Sequence, residues 1–279
     1  MTLSGKAKLA GVIGWPVSHS RSPRLHGFWL DQLSIDGAYV PLAVHPDDLS
    51  DVIKALPKMG FAGVNLTVPH KEAVLPLLDI IDPAAKRIGA VNTLVFDDQG
   101  HIHGRNTDAF GFLENLRQGA PDWNPNSGPA LVLGAGGAAR AVIVALQDAG
   151  VSEIFVANRS PERTEALIHD IPGPKPISWD KRHGALNGAE LLVNTTILGQ
   201  TGQPSLDLDL TQLSPSAVVT DIVYAPLETD LLKAARQRGN AVVDGLGMLL
   251  WQAVPGFEAW FGTRPSVTPQ LRTFVLGDS

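Results

Sequence analysis

The sequence contains no cysteine, has a net negative charge and lacks any long uninterrupted apolar run. The missing cysteines exclude disulfides, thiolate catalysis and cysteine-ligated metals. The net charge of -6 offers no basic surface, so we expect no nucleic-acid partner. No apolar run approaches the ~20 residues of a membrane span, and the first residues lack the apolar core of a signal peptide. We therefore expect a cytoplasmic protein with no membrane partner, whose ligands are small molecules.

The chain of 279 residues is long enough for two domains of ordinary size, and 44% of it is hydrophobic. Apolar, strand-like runs alternate with helix-like segments, which predicts an α/β fold. The composition of 119–129, rich in Gly, Pro and Asn, suggests a linker, whereas a helix over 108–117 could instead bridge the domains. The predicted strands lie at 9–13, 39–44, 64–68, 91–96, 154–157, 191–195, 218–222 and 241–243, and the predicted helices of the first half at 23–33, 46–56 and 71–78.

A glycine turn follows the apolar run 130–133 and opens the helix-like run 141–146. Its glycines allow a tight turn and a close backbone approach to a pyrophosphate, which free N–H groups and the helix N-terminus then bind. The pattern predicts a dinucleotide site, although similar turns occur where nothing binds. The turn consists of Gly134, Ala135, Gly136, Gly137 and Ala138.

The residue type at the end of the next strand indicates which dinucleotide binds. About 20 residues beyond such glycines, a carboxylate would accept a hydrogen bond from the ribose 2′-hydroxyl of NAD. This chain has Asn158 and Arg159 there, and Arg163 follows one helical turn later. Guanidinium groups bind phosphate, so the sequence predicts NADP rather than NAD, unless both arginines are only surface charges.

Ser20 and Ser22 lie in a loop just past the first predicted strand. Two hydroxyls one residue apart could both donate to a carboxylate. The alternative is a helix cap, because Ser22 followed by Pro23 is a favourable Ncap and N1 pair.

Lys71 lies in the first turn of a predicted helix, three residues after the end of the predicted strand 64–68. The helix dipole opposes a cation at this position and favours the neutral amine. A lysine so placed can take and give protons near neutral pH. The alternative is a solvated lysine paired with Glu72.

Further polar clusters occur at predicted loop positions, where functional residues are common. Asn106 or Asp108 could merely cap the next helix, and Met248 is by default a core residue. His101 and His103 have no third ligand nearby in sequence, so no metal site is expected. The remaining clusters contain Asn92, Asn194–Thr196, Tyr224, Gly245 and Gln252.

Taken together and in this order, the motifs resemble the shikimate dehydrogenase family, the NADP-dependent reductases of 3-dehydroshikimate in chorismate and aromatic amino-acid biosynthesis. The resemblance spans nearly the whole chain. It rests on the segments 14–26, 65–71, 89–93, 106–108, 134–138, 158–159 and 245–252.

The resemblance implies a role for each matching residue. Lys71 would be the acid/base, with Asp108 hydrogen-bonded to it and to a substrate hydroxyl. Ser20 and Ser22 would bind the substrate carboxylate, and Tyr224 would lie on the substrate side. The ring hydroxyls would be bound by Thr67, Asn92, Asp108 and Gln252, and the cofactor by Gly134, Ala135, Gly136, Gly137, Ala138, Asn158, Arg159, Arg163, Ile222, Gly245 and Met248.

The resemblance also implies a substrate-binding and catalytic domain over 1–107, a Rossmann-like NADP domain over 108–246, C-terminal helices over 247–279 that return to the first domain, and a cleft between the domains. Ala109 stands where the family usually has Gly, and the loop 194–200, which would lie on the cofactor side, also departs from the family pattern. The related alternative is a quinate/shikimate dehydrogenase with broader substrate or cofactor use. A non-catalytic NADPH-binding regulator is a remote alternative, and the protein is expected to be a monomer or homodimer.

Overall fold

The computed structural model describes residues 2–277, which pack as two compact units. The first unit runs to Thr107 and resumes at Leu249, and the second unit is Asp108–Met248. The segment 119–129, which resembles a linker by composition, lies inside the second unit.

The first unit contains a mixed six-stranded sheet. Its strands are β1 (Lys8–Gly14), β2 (Gly37–Ala43), β3 (Phe61–Leu66), β4 (Ile80–Ile81), β5 (Thr93–Phe96) and β6 (Ile102–Arg105). The strand order is β2-β1-β3-β5-β6-β4. β1 pairs in parallel with β2 and β3, and β4 with β6, whereas β5 is antiparallel to both β3 and β6.

The helices of the first unit are α1 (Ser22–Gln32), α2 (Leu49–Ala55), α3 (His70–Ala73) and α4 (Pro83–Ile88). The helix predicted over 71–78 is wrong beyond its first turn: α3 is four residues long, and a 3-10 turn follows at Leu75–Leu77. Pro76 explains this, because it has no N–H and its ring would clash with the carbonyl of the residue four positions earlier. Similarly, the helix predicted over 46–56 begins as a 3-10 turn at Pro46–Asp48.

The second unit contains a fully parallel six-stranded sheet. Its strands are β7 (Ala130–Leu133), β8 (Ile154–Asn158), β9 (Lys175–Ser178), β10 (Leu191–Asn194), β11 (Val218–Asp221) and β12 (Val242–Val243). Their order, β12-β11-β10-β7-β8-β9, is the doubly wound order of dinucleotide-binding sheets. The strand order reverses between β7 and β10, which is where such sheets bind ligands.

The helices α5 (Asp108–Gly119), α6 (Gly137–Ala149), α7 (Pro161–Asp170) and α8 (Asp230–Gln237) belong to the second unit. α9 (Leu246–Phe261) begins there and continues into the first unit, to which α10 (Pro269–Leu276) belongs. Among the described residues, no helix is long and apolar enough to cross a membrane.

Each unit has its own buried core. Ile13, Ile53 and Leu94 belong to the core on one side of the first sheet, while Leu131, Leu192 and Val219 belong to the core of the second. Burial of this apolar surface is the main favourable term in folding.

Candidate functional site

Four strand ends meet at one edge of the first sheet. β1 and β3 are parallel neighbours, so their carboxyl ends lie side by side. β5 runs antiparallel to β3, with Asn65 opposite Thr93, so the start of β5 lies at the same edge. β6 is antiparallel to β5 and therefore ends there too. The topology thus brings the loops after Gly14, Leu66 and Arg105 close to Asn92.

Gly14 and Thr67 are in close contact at this edge. A Cβ atom on Gly14 would lie 2.6 Å from the Thr67 methyl group, too close for any side chain. The Thr67 N–H donates to the Ile13 carbonyl at 2.9 Å. The glycine of the first loop thereby lets Thr67 pack against β1.

The two serines occupy different local structures. α1 starts at Ser22 itself, with Arg21 at the Ncap and no side-chain capping bond. The interpretation of Ser22 as an Ncap is therefore wrong. Instead, the Ser20 hydroxyl accepts a hydrogen bond from the Ser22 N–H at 3.3 Å. Ser22 is buried and Ser20 half-buried.

Lys71 is half-buried and lies within the single turn of α3. A helix of one turn has few aligned peptide dipoles. It therefore opposes a cation at Lys71 less than a longer helix would. The turn is held in place by His70, whose Nε2 is 2.9 Å from the Val44 carbonyl. Burial lowers the pKa of His70 below its ordinary value, and this hydrogen bond partly opposes the shift.

Asn92 is the centre of a buried cluster at the same edge. Its Nδ2 donates to Thr107 Oγ1 at 3.0 Å and to Gln252 Oε1 at 3.4 Å. Its Oδ1 accepts from the Thr107 N–H and from Thr93 Oγ1, each at 2.9 Å. The structure therefore brings together Asn92 and Gln252, which are 160 positions apart in the chain. Asp108, the next residue after Thr107, begins α5 and is buried.

Two buried residues of the first unit received no role from the sequence, although Asn65 belongs to the motif 65–71. The Tyr39 hydroxyl donates to Asn65 Oδ1 at 2.6 Å, and Asn65 Nδ2 donates to the Asn92 carbonyl and to Thr93 Oγ1, each at 3.0 Å. A polar residue in an otherwise apolar strand was the available signal for Asn65, since buried polar groups need partners.

In the second unit, the glycine turn follows β7 at the point where the strand order reverses. Gly134 has a φ of +111°, and a Cβ there would lie 2.5 Å from Thr195 Oγ1, so this position requires glycine. Gly136 and Gly137 are different, because a Cβ on either would meet nothing within 4 Å. Internal packing does not require glycine at these two positions. They leave the first turn of α6 open to an approaching group.

The arginines beyond β8 also face open surroundings. Arg159 and Arg163 are exposed, and neither guanidinium group forms an ion pair or hydrogen bond with any residue of the described range 2–277. Asn158 ends β8 and donates to the Ser160 carbonyl at 3.0 Å. An open glycine turn, a helix N-terminus and two uncommitted guanidinium groups form a donor set that suits a phosphorylated dinucleotide.

Asp221 organises the end of β11. Its Oδ1 accepts from Asn194 Nδ2 and from the Val223 N–H, each at 3.0 Å, and its Oδ2 accepts from Thr229 Oγ1 at 2.8 Å. Burial raises the pKa of Asp221 to about 6, although these three hydrogen bonds act in the opposite direction. The carboxylate thereby fixes the segment that contains Ile222 and Tyr224, both half-buried.

Gly245 and Gly247 lie at the start of α9 and are confined by their neighbours. A Cβ on Gly245 would overlap the Ile222 backbone, and one on Gly247 would overlap the Asn115 side chain. Met248 is buried in the same turn, with 8% of its surface exposed.

The histidines of the β5–β6 hairpin contact a carboxylate. His101 Nδ1 and His103 Nε2 lie 3.1 and 2.9 Å from the same oxygen, Oδ2 of Asp97. The hydrogen bond from His103 is the main reason that the pKa of Asp97 falls well below its ordinary value. In residues 2–277 no group of three or more His, Cys, Asp or Glu side chains is arranged to hold a metal.

Comparison with protein families matches three segments of the chain. Residues 12–94 match the "Shikimate dehydrogenase substrate binding domain", residues 121–200 match "Shikimate / quinate 5-dehydrogenase", and residues 245–269 match the "Shikimate 5'-dehydrogenase C-terminal domain".

Similar proteins match over nearly the full length. The shikimate dehydrogenase (NADP(+)) of Paramagnetospirillum magneticum is 68% identical over 98% of this chain and 100% of its own. The Thermus thermophilus shikimate 5-dehydrogenase, solved with NADP(H) and shikimate, is 40% identical with a TM-score of 0.85, covering 96% of this chain and 98% of that one. The Corynebacterium glutamicum quinate dehydrogenase, solved with NAD, is 34% identical with a TM-score of 0.90, covering 97% and 99%.

Proposed function

This chain belongs to the shikimate dehydrogenase family, and we propose that it catalyses the reversible NADPH-dependent reduction of 3-dehydroshikimate to shikimate, a step of chorismate and aromatic amino-acid biosynthesis. One structural observation carries the proposal. Hydroxyl and amide side chains from four loops of the first sheet collect at one edge, the edge at which α3 and Lys71 begin.

The substrate is a small ring with one carboxylate and several hydroxyls, and the polar groups at this edge match it. Ser20 and Ser22 donate to the carboxylate. The ring hydroxyls need partners that both donate and accept, which amides and hydroxyls provide. We assign this role to Thr67, Asn92 and Gln252, while the Asp108 carboxylate accepts from a ring hydroxyl and Tyr224 is a further substrate contact.

The second unit binds the cofactor. When bound, NADPH supplies the hydride that reduces the carbonyl carbon of the substrate. The N–H groups at the start of α6 face its pyrophosphate, and Arg159 with Arg163 binds the ribose 2′-phosphate. The full set assigned to the cofactor is Gly134, Ala135, Gly136, Gly137, Ala138, Asn158, Arg159, Arg163, Ile222, Gly245 and Met248.

Lys71 is the proton donor and acceptor. In the direction of reduction, negative charge develops on the carbonyl oxygen, and the Lys71 ammonium stabilises this charge and then gives its proton to the oxygen. In the direction of oxidation, the neutral amine takes the proton of the same hydroxyl. Asp108 is the second catalytic residue, with a carboxylate that accepts a hydrogen bond from a substrate hydroxyl.

The alternative function is that of a quinate/shikimate dehydrogenase with broader substrate or cofactor use. The likeness to the Corynebacterium glutamicum quinate dehydrogenase, which was solved with NAD, favours it. Asn158 and Arg159 disfavour NAD as the cofactor, because they stand where a carboxylate would accept a hydrogen bond from the ribose 2′-hydroxyl.

The deciding experiment measures absorbance at 340 nm with shikimate or quinate, each with NADP+ or NAD+. We expect the highest kcat/KM with shikimate and NADP+. Quinate with NAD+ as the best pair would establish the alternative, and no turnover with any pair would refute both enzyme assignments.

A further inference from the structure

The short helix α3 is attached to the first sheet on two sides. It follows β3, which lies between β1 and β5 in the strand order. On the β5 side, the Val91 N–H donates to the Lys71 carbonyl at 2.8 Å. On the side of β1 and β2, His70 Nε2 lies 2.9 Å from the carbonyl oxygen of Val44, the residue that follows β2. The turn that contains Lys71 is thus held from both directions.

The two attachments together restrict the direction of the turn. With the bond to the Lys71 carbonyl alone, a helix of four residues could tilt about that bond. The bond from His70, at the preceding residue and on the other side, opposes this tilt. An acid/base group must lie within hydrogen-bond reach of the reacting oxygen. The direction of the turn therefore decides where the Lys71 amine can act.

The His70 side chain is a neutral donor enclosed by the protein. It is 0% exposed, and burial lowers its pKa below the ordinary value. Because Nε2 faces a carbonyl, Nε2 carries the proton of the neutral ring. Nδ1 is buried and has no hydrogen-bond partner among residues 2–277. Protonation would create a buried N–H without an acceptor, so the ring keeps one N–H, which is directed at Val44.

Val44 connects this attachment to the loop that follows β1. Its N–H donates to the Gly14 carbonyl at 3.3 Å, and the loop with Ser20 and Ser22 begins directly after Gly14. Val44 is 6% exposed, so water has little access to its carbonyl. A side chain without a donor at position 70 would therefore deprive this carbonyl of its partner and leave the turn attached on one side.

We propose that His70 is a positioning residue that fixes the Lys71 amine at the substrate by tying α3 to the end of β2. The proposal rests on the proposed function, which assigns proton transfer to Lys71. His70 is fully buried, so it acts through Lys71 and not on the substrate itself. Loss of its N–H should slow proton transfer and leave the binding of both ligands in place.

The test compares His70→Met with His70→Gln. The two new side chains have the same length, but only glutamine has an N–H that can donate to the Val44 carbonyl. A misplacement of about 1 Å can cost about 100-fold in rate, so His70→Met should lower kcat about 10- to 100-fold. The KM of shikimate and the dissociation constant of NADP+ should stay within about 3-fold. His70→Gln should restore kcat to within about 3-fold of the wild type.

Adding His70→Met to Lys71→Ala gives the sharper measurement, because residues that act as a unit are not additive. Without the amine nothing is left to position, so the added substitution should lower the remaining kcat less than about 2-fold. Effects that multiply in full, a wild-type kcat in His70→Met, or a His70→Gln variant as slow as His70→Met would overturn the proposal. Should His70→Met not fold, His70→Asn replaces it, because its amide is one methylene shorter than that of glutamine.

Ile53→Val is the matched control, since Ile53 is fully buried in the core that also contains Val44 and Val74. It should lower the melting temperature and leave kcat unchanged. If the wild-type protein does not oxidise shikimate, the proposed function fails. If the wild type is active and His70→Met behaves as Ile53→Val does, only the positioning role fails.

Discussion

The two units prepare their ligand-binding edges by opposite means. In the first unit, buried side chains such as Asn65 and Asn92 occupy the edge, and each is held by several hydrogen bonds. In the second unit, the corresponding edge is shaped by missing side chains, since a Cβ on Gly136 or Gly137 would meet nothing.

This difference follows from the ligands that we assign to the units. A ring with hydroxyls in fixed directions is recognised by donors and acceptors that cannot rotate, which requires a network. A pyrophosphate is recognised by backbone N–H groups and a helix N-terminus, which requires that no side chain stands in front of them. Substitutions in the two units should therefore affect activity, ligand binding and stability differently.

The largest effect is expected for Lys71→Ala, which removes the proton donor of the first unit. We expect kcat to fall about 10²- to 10⁴-fold, the usual contribution of a general acid or base. The dissociation constant of NADPH should be nearly unchanged. Steady-state assays at 340 nm and calorimetry measure the two quantities, with the exposed Lys58→Ala as control. A variant with near wild-type kcat would exclude the acid/base role.

The second-largest effect is expected at Gly247, a glycine of the second unit that has no space for a side chain. Gly247→Ala drives a methyl group into the Asn115 side chain, whose Nδ2 donates to the Asp244 carbonyl at 2.7 Å. Overpacking and the loss of that bond should together lower the free energy of unfolding by about 4 kcal/mol.

Gly136→Ala is the matched comparison, because its new methyl group meets only open space. It should cost about 1 kcal/mol or less in urea unfolding, yet weaken NADP+ binding about 10-fold or more. Equal losses of stability in both variants would show that the open turn is not kept free for a ligand.

Asp221→Asn tests a strongly desolvated carboxylate at the second edge. Its folded pKa of about 6 lies above the ordinary value of 3.8, so the group favours the folded state most at low pH. The contribution of Asp221 to the free energy of unfolding is complete below about pH 3.8. It is lost as the pH rises through about 6. The asparagine does not titrate. The difference in unfolding free energy between wild type and variant should thus change by about 2 kcal/mol from pH 4 to pH 7.

Urea titrations at several pH values measure this difference, and the exposed Asp122→Asn variant is the control. A wild-type minus variant difference that is flat across this pH range would contradict the raised pKa of Asp221.

The sequence was sufficient to predict the second edge because its requirements are local. A strand, a glycine turn and a helix are adjacent in the chain, and the sequence has Asn158 and Arg159 instead of a carboxylate at the end of the next strand. The α/β fold and the family followed from such patterns, and the comparisons confirm both.

The ligand-binding edge of the first unit could be predicted only in part. The members of its network lie in β2, β3, β5 and α9, which are far apart in the sequence, and only the tertiary fold brings them together. Tyr39 looked like an ordinary strand residue, and Asn65 was part of the motif 65–71 but received no role. The Ncap role considered for Ser22 was wrong because α1 starts one residue earlier than a cap would allow. The individual site residues remain predictions until ligands are measured on variants.

The central claim is that the first unit binds the substrate and the second unit binds the cofactor. Calorimetry tests it most directly, with shikimate and NADP+ titrated into the wild type, Ser22→Ala and Arg159→Ala. We predict that Ser22→Ala weakens shikimate about 10-fold and leaves NADP+ within about 2-fold, whereas Arg159→Ala does the reverse, because each removes one charge-assisted hydrogen bond. Weakening of both ligands by either variant, or a wild type that binds neither ligand, would contradict the account.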